Sequence, residues 1–156
     1  MAGNENIKSI AVNKKARHDF FVLESFEAGI ELFGTEVKSL RRGGVNLKDS
    51  YCHIYKGEIY ASGVHISPYE QGNIFNKDPL REKKLLMHKK EINRLFGQVS
   101  QKGLTLVPLS LYFKGSRVKM EIGLCQGKKL YDKRESLQKK QAEREIAASF
   151  KNKQHY

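Results

Sequence analysis

Hydrophobic and polar positions alternate over short runs through most of this chain. His18 to Leu23 and Phe26 to Phe33 concentrate aromatic and β-forming residues, which predicts two short strands meeting near Ser25. At Gly34-Thr35-Glu36 the period changes. Thr35 is placed to cap a short helix through Arg42, with Val37 and Leu40 three apart on one face and Gly43-Gly44 as the stop. Alternation returns from Ser50 to Lys56 and from Glu58 to Ile66, a predicted hairpin turning at Gly57. Pro68, Gly72, Asn73, Asn76, Asp78 and Pro79 then mark residues 67 to 79 as a loop. A further strand is predicted near Lys84 to Met87. His88-Lys89-Lys90-Glu91 has the look of a capping arrangement, and Ile92, Leu95, Phe96 and Val99 follow at helical spacing up to Gly103. Leu104 to Phe113 and Arg117 to Leu124 form a last predicted hairpin around Lys114-Gly115-Ser116.

Short strands at this density, with two or three short helices and no regular βα alternation, predict a mainly β fold: a small antiparallel OB-like β-barrel. Residues 1 to 17 are polar and basic and are expected to be a flexible lead-in. Residues 18 to 126 make the body. The composition shifts again at Gly127. Residues 127 to 156 carry nine basic side chains against four acidic ones, +5 of the chain's total +12. Helix propensity is good from Glu135 to Ala148, but Ala142, Ile146 and Phe150 make only a narrow apolar stripe. A basic tail that is disordered when free and becomes helical on a polyanion is the expectation.

The 156 residues suffice for one domain with a core, and 39% hydrophobic content is too rich for wholesale disorder. The longest runs lacking Lys, Arg, Asp and Glu, Gly103 to Phe113 and Ile59 to Tyr69, are far short of the ~20 residues a spanning helix needs. Met1 to Asn6 has neither the basic start nor the apolar run of a secretory signal, so the chain reads as cytoplasmic. Cys52 and Cys125 lack CxxC spacing and read as buried apolar residues.

A pI near 9.7 favours a polyanionic partner, though a basic surface also serves solubility alone. Membrane binding needs an amphipathic basic helix that the tail does not offer. Nucleic acid fits better: exposed rings stack on bases while Lys and Arg track phosphates, and Tyr131 sits among Lys128, Lys129, Lys133 and Arg134. No HxH, HExxH, phosphate loop or GxSxG occurs, so neither a metal site, nor a cofactor, nor an enzyme is expected. A nuclease assembled from His18, Asp19 and Glu27 remains a paper alternative. Glu27 reads either as a surface ion-pair partner or as an acceptor for nucleobase and ribose donors.

Three blocks then occur in order: Gly34-Thr35-Glu36-Val37-Lys38-Ser39-Leu40-Arg41, Asn46-Leu47-Lys48-Asp49-Ser50-Tyr51, and Asp78-Pro79-Leu80-Arg81-Glu82-Lys83-Lys84-Leu85-Leu86-Met87-His88. With Gly127-Lys128-Lys129-Leu130-Tyr131-Asp132-Lys133-Arg134, the chain from about Asn13 to Arg134 resembles the SsrA-binding protein (SmpB) family. The resemblance implies a bacterial, non-enzymatic partner of transfer-messenger RNA (tmRNA) in trans-translation, which rescues stalled ribosomes, acting as a monomer in a 1:1 complex. It implies that Glu27, Lys84, Leu86 and His88 face the tRNA-like domain of that RNA, flanked by Asn13, Lys14 and Arg17. For His88 it favours helix capping or hydrogen bonding over imidazole chemistry. It further implies that Lys128, Lys129, Tyr131, Asp132, Lys133 and Arg134 enter the ribosomal decoding centre and the empty message channel. A general OB-type RNA-binding or ribosome-assembly factor is the other reading the residues allow.

Overall fold

A computed structural model describes residues 6–128. Nine strands and three α-helices are found among them, in the order β1 (Ile7–Val12), α1 (Lys14–Asp19), β2 (Phe20–Ile30), α2 (Gly34–Arg41), β3 (Val45–Asn46), β4 (Tyr51–Tyr55), β5 (Glu58–Ser62), β6 (His65–Ile66), β7 (Lys83–Leu86), α3 (Lys89–Lys102), β8 (Thr105–Lys114) and β9 (Arg117–Gly127), with a 3-10 turn at Glu70–Phe75. All strand pairings are antiparallel. They run β8-β4-β5-β7-β2-β9 and return from β9 to β8, so six strands close a ring. The closure is thinnest at β4 and β8, joined through the single pair Cys52 and Leu106. Beyond it, the same edge of β8 carries β1.

Side chains that point into the ring form the main core: Ile59, Ala61, Leu85, Leu106, Leu111, Met120, Ile122 and Leu124. Helix α3 adds Ile92 and Leu95, whereas Phe96, at the same spacing in the sequence, is 55% exposed. A smaller cluster of Ala16, Val107, Leu109 and Cys125 lies under α1. Strand β8 is therefore buried on both faces over part of its length, which is why Leu106 to Leu109 reads as an unbroken apolar run rather than an alternation. The Cys52 and Cys125 thiols are free and buried, and burial pushes both above the ordinary thiol range.

Several expectations need correction. Residues 7–12 are not a flexible lead-in: Ile7 pairs with Lys114 and Val12 with Ser110, and Ile10 and Ala11 pack against the core. The physical reason is the free edge of β8, whose backbone groups need partners. His18 belongs to a helix, because Asn13 accepts a hydrogen bond from the Ala16 amide and starts α1 there. One long strand, β2, replaces the two meeting near Ser25, with a register shift between Val22 and Glu24 taking up the bend. Helix α2 starts at Gly34, its cap being Phe33, whose backbone N–H donates to the Glu36 carboxylate at 2.8 Å. The turn between β8 and β9 spans Gly115 and Ser116 alone. The Lys56-Gly57 turn does place both residues at positive φ, 50° and 77°, as a tight two-residue hairpin requires.

The excursion between β5 and β7 is fixed from inside. Lys83 is fully buried, and its ammonium donates to the carbonyls of Val64 (2.7 Å), Arg81 (2.6 Å) and Pro79 (3.3 Å). Burial lowers its pKa from 10.5 to about 8. Arg81 in turn holds the buried Glu36 carboxylate at 2.7 Å, which ties the excursion to α2.

Candidate RNA interface

Strand alternation decides which side chains leave the ring. On β2, Ala28 and Ile30 point inward, so Glu27 and Gly29 face out. Glu27 lies opposite Glu121 on β9, and on β8 Tyr112 lies opposite Lys119. Two like charges side by side are unfavourable unless each has its own donors. Glu27 accepts from the Tyr112 hydroxyl at 2.5 Å and from Lys114 Nζ at 3.3 Å. Glu121 accepts from Ser110 at 3.3 Å and from Arg17 at 3.5 Å. The Tyr112 hydrogen bond, helped by Lys114 and Lys119, holds the Glu27 carboxyl below the usual carboxylate range despite partial burial. Burial and the Glu27 carboxylate push the Tyr112 phenol up. Glu27 is thus ionised and oriented, with acceptor lone pairs left for an incoming donor.

Next to it, an open cleft of about 400 Å³ brings together Glu27, Lys84, Leu86 and His88. Leu86 is 54% exposed and rests on Gly29, where an added Cβ would lie 3.2 Å from the Leu86 Cβ. Glycine there lets β7 bring its leucine to the rim. Glu58 bridges Lys84 and Lys89 at 3.8 Å each. His88 occupies the N-cap position of α3, yet only its carbonyl serves the helix, accepting from the Ile92 amide at 3.1 Å. The expected capping by its side chain does not occur, and the exposed imidazole lines the cleft.

Asn13, Lys14 and Arg17 lie at α1, Lys14 and Arg17 exposed and Asn13 beneath them as the N-cap. Arg17 reaches Glu121, the residue opposite Glu27, at 3.5 Å. Asn13 is buried, and its amide nitrogen is spent on the carbonyls of Leu47 (3.2 Å) and Pro108 (2.9 Å). Its place in the fold is to seat α1, which presents the exposed Lys14. Lys128 reaches back to the Arg17 carbonyl at 3.4 Å and stands 5.2 Å from the Phe21 ring centre. Lys129, Tyr131, Asp132, Lys133 and Arg134 lie outside the described residues.

Sequence reasoning missed Tyr112, Lys114, Lys119, Glu121 and Gly29. The alternation in the last hairpin carried the signal: Tyr112 and Lys114 are two apart on β8, and the Gly115-Ser116 turn sets Lys119 opposite Tyr112. Among the described residues no cluster of three His, Cys, Asp or Glu side chains could hold a metal ion. No described helix is long and apolar enough to cross a membrane.

The family model described as "SmpB protein" matches residues 10–152, most of the chain and all of the surface just described. The chain belongs to the SmpB family. The SsrA-binding protein of Clostridium beijerinckii is 58% identical over 156 residues, covering 100% of both chains. That of Acetivibrio thermocellus is 59% identical over 147 residues, 94% of this chain and 96% of its own. A solved structure described as "tmRNA-SmpB: a journey to the center of the bacterial ribosome" is similar with a TM-score of 0.64 and 51% identity, over 76% of this chain and 83% of that one. In this SmpB-family chain Glu27 and Lys128 stand on paired strands, Glu27 on β2 and Lys128 just past the end of β9.

Proposed function

We propose that this chain is the tmRNA-binding adaptor of trans-translation: it binds tmRNA, delivers it to stalled ribosomes and rescues them without catalysing a reaction. The ring of strands is the OB-like barrel of the reading. It works in the bacterial cytoplasm as a monomer in a 1:1 complex. The observation that carries this is the cleft at Glu27, Lys84, Leu86 and His88, formed on a chain whose relatives are SsrA-binding proteins. An oriented carboxylate beside an exposed leucine and two cationic or neutral donors suits the tRNA-like domain of tmRNA. Glu27 accepts from base or ribose donors, Leu86 packs on a sugar or base face, and Lys84 meets phosphate. Lys14 and Arg17 extend the contact across α1. From Lys128 onward, Lys129, Lys133 and Arg134 neutralise ribosomal RNA while Tyr131 stacks and Asp132 sets register in the decoding centre.

The test compares Glu27→Ala and Leu86→Ala with the parent protein for binding to tmRNA and to bulk transfer RNA. Removing a negative charge ought to help indiscriminate binding to a polyanion. The expected result is therefore opposite effects: tmRNA affinity falls roughly tenfold or more, while bulk tRNA binding holds or rises. Equal affinity of the parent protein for both RNAs would instead point to a general RNA-binding factor.

A further inference from the structure

A second cleft lies away from Glu27, between the start of α2 and the 3-10 turn, with a volume of about 430 Å³. Three rings stand at it: Phe33, Tyr69 and Phe75, with Phe33 47% and Phe75 71% exposed. Cations sit over two of the three. Lys77 Nζ is 4.5 Å and the Arg81 guanidinium 4.8 Å from the Phe33 ring centre, and Arg42 is 4.8 Å and Lys38 5.6 Å from that of Tyr69. No lining residue is acidic; Glu36 is buried and taken by Arg81, Asp78 accepts from the Leu80 amide, and Glu70 adjoins the cleft in sequence without lining it.

The backbone that carries Tyr69 and Phe75 is tied down by side chains. Asn76 clasps the loop by accepting from the Tyr69 amide at 2.9 Å and donating to the Tyr69 carbonyl at 2.7 Å. Thr35 Oγ1 donates to the Phe75 carbonyl at 3.3 Å, and Arg42 to the Gln71 side chain at 3.3 Å. Exposing two large rings costs apolar burial, and nothing in the packing of the main core uses Phe75.

We propose that this cleft is a separate contact site for single-stranded RNA, in which an unpaired base stacks on Phe75 and Tyr69 while Lys38 and Lys77 meet the flanking phosphates. Base–aromatic stacking beside a cationic track is the means by which proteins hold unpaired strands without reading their sequence. The volume is within the ~300–1,000 Å³ range of sites that enclose small ligands. Charge complementarity favours an anion, and flat rings favour a base over an acidic peptide, which would engage only the cations. A smaller cleft of about 270 Å³, walled by Tyr60 and Arg81 but also by Glu31 and Glu82, lies between the two sites, sharing Phe33 with this one and Lys84 with the first. The inference rests on the RNA-binding reading above, but on different residues.

The experiment uses the full chain and a short, unstructured, fluorescein-labelled oligouridylate, read by anisotropy. Phe75→Leu and Tyr69→Leu, singly and together, are expected to weaken oligouridylate binding roughly tenfold per ring lost to a stacked base. An abasic oligomer of equal length should bind more weakly than oligouridylate and be indifferent to both ring variants. Unchanged oligouridylate affinity in the double variant, with its thermal melt intact, overturns the site. So does a loss seen only in Lys38→Gln and Lys77→Gln, since charge alone would then explain binding. In a second arm, Phe75→p-benzoylphenylalanine is irradiated with purified ribosomes. RNA adducts are expected, and adducts to protein alone overturn the proposal. The two readings fail separately: failure of the tmRNA reading appears as a lost preference for tmRNA over bulk tRNA, and failure of this one as an oligomer affinity that does not respond to Phe75 and Tyr69.

Discussion

At the scale of single residues, the two most informative groups are a carboxylate kept charged and an ammonium kept dry. Glu27 owes its lowered pKa first to the Tyr112 hydroxyl, so Tyr112→Phe should let its titration midpoint climb back toward 4.5. Carbon-detected NMR titration of the Glu27 carboxyl checks this. The sign for stability follows from the same shift. A depressed carboxylate stabilises the fold above the unfolded value and loses that contribution as pH falls through the folded one. The parent protein should accordingly lose more stability than Tyr112→Phe on acidification below about pH 4.5. Lys83 runs the other way. Its folded pKa, about 8, lies below its ordinary 10.5, so the folded state binds fewer protons between those values and this group's contribution to stability rises with pH across that window. Lys83→Met removes the donor to three carbonyls at once while relieving the desolvation of a single ammonium. The expected loss at neutral pH is ~2 kcal/mol, measured by urea unfolding, and the variant should lack the parent's rise from pH 8 to 10.

At the scale of elements, what could be read from the sequence is what depends on neighbours along the chain. Gly57 and Lys56 set the β4–β5 hairpin, and Ile92 with Leu95 at helical spacing sets α3. What could not be read depends on partners far away. β1 exists because β8 has a free edge, more than a hundred residues later for Ile7 and Lys114, and no local pattern in Ile7 to Val12 announces it. The register shifts at Val22/Glu24 and Pro108/Ser110 are likewise tertiary, and they move residues between the two faces of a strand. The candidate interface divides in the same way: Lys84, Leu86 and His88 lie within one short block and were found together, whereas Tyr112 and Lys119 join Glu27 only through the sheet. Asn13 is the sharpest case, a polar residue beside basic ones that turns out to be buried. Asn13→Ala deletes the α1 cap and removes the side-chain donor to the Leu47 and Pro108 carbonyls, the first of which keeps Ser50 as a donor, with an expected cost of ~1–2 kcal/mol. Thermal and urea unfolding check the cost. Because the role is to seat α1, any weakening of RNA binding should be reversed under stabilising osmolyte, which a lost direct contact would not be.

At the scale of the whole molecule, the division between body and tail makes the strongest claim. Strand β9 continues to Gly127, and Cys125 is fully buried against Val107 and Leu109, so a cut before residue 126 would damage the core rather than separate the two parts. A cut after Lys128 is the clean one. It removes eight basic and four acidic side chains, +4 of the total +12, and leaves every described element intact. If Glu27, Leu86 and their neighbours carry recognition, the shortened chain should keep its preference for tmRNA over bulk tRNA, since nothing in the cleft is touched. Its salt dependence should change only as far as the tail meets tmRNA phosphates, because the slope of log K against log salt counts the charges neutralised. Tagging of nascent chains on stalled ribosomes should nonetheless be lost, as the residues from Lys129 to Arg134 that are proposed to occupy the decoding centre are gone. The decisive pairing is equilibrium binding of the shortened chain to tmRNA beside a reconstituted tagging assay with the same preparation. Retained binding with lost tagging supports two separable parts. Loss of both in a chain that still melts cooperatively would mean that recognition of tmRNA itself runs through the tail, and the cleft at Glu27 would no longer be the primary RNA site.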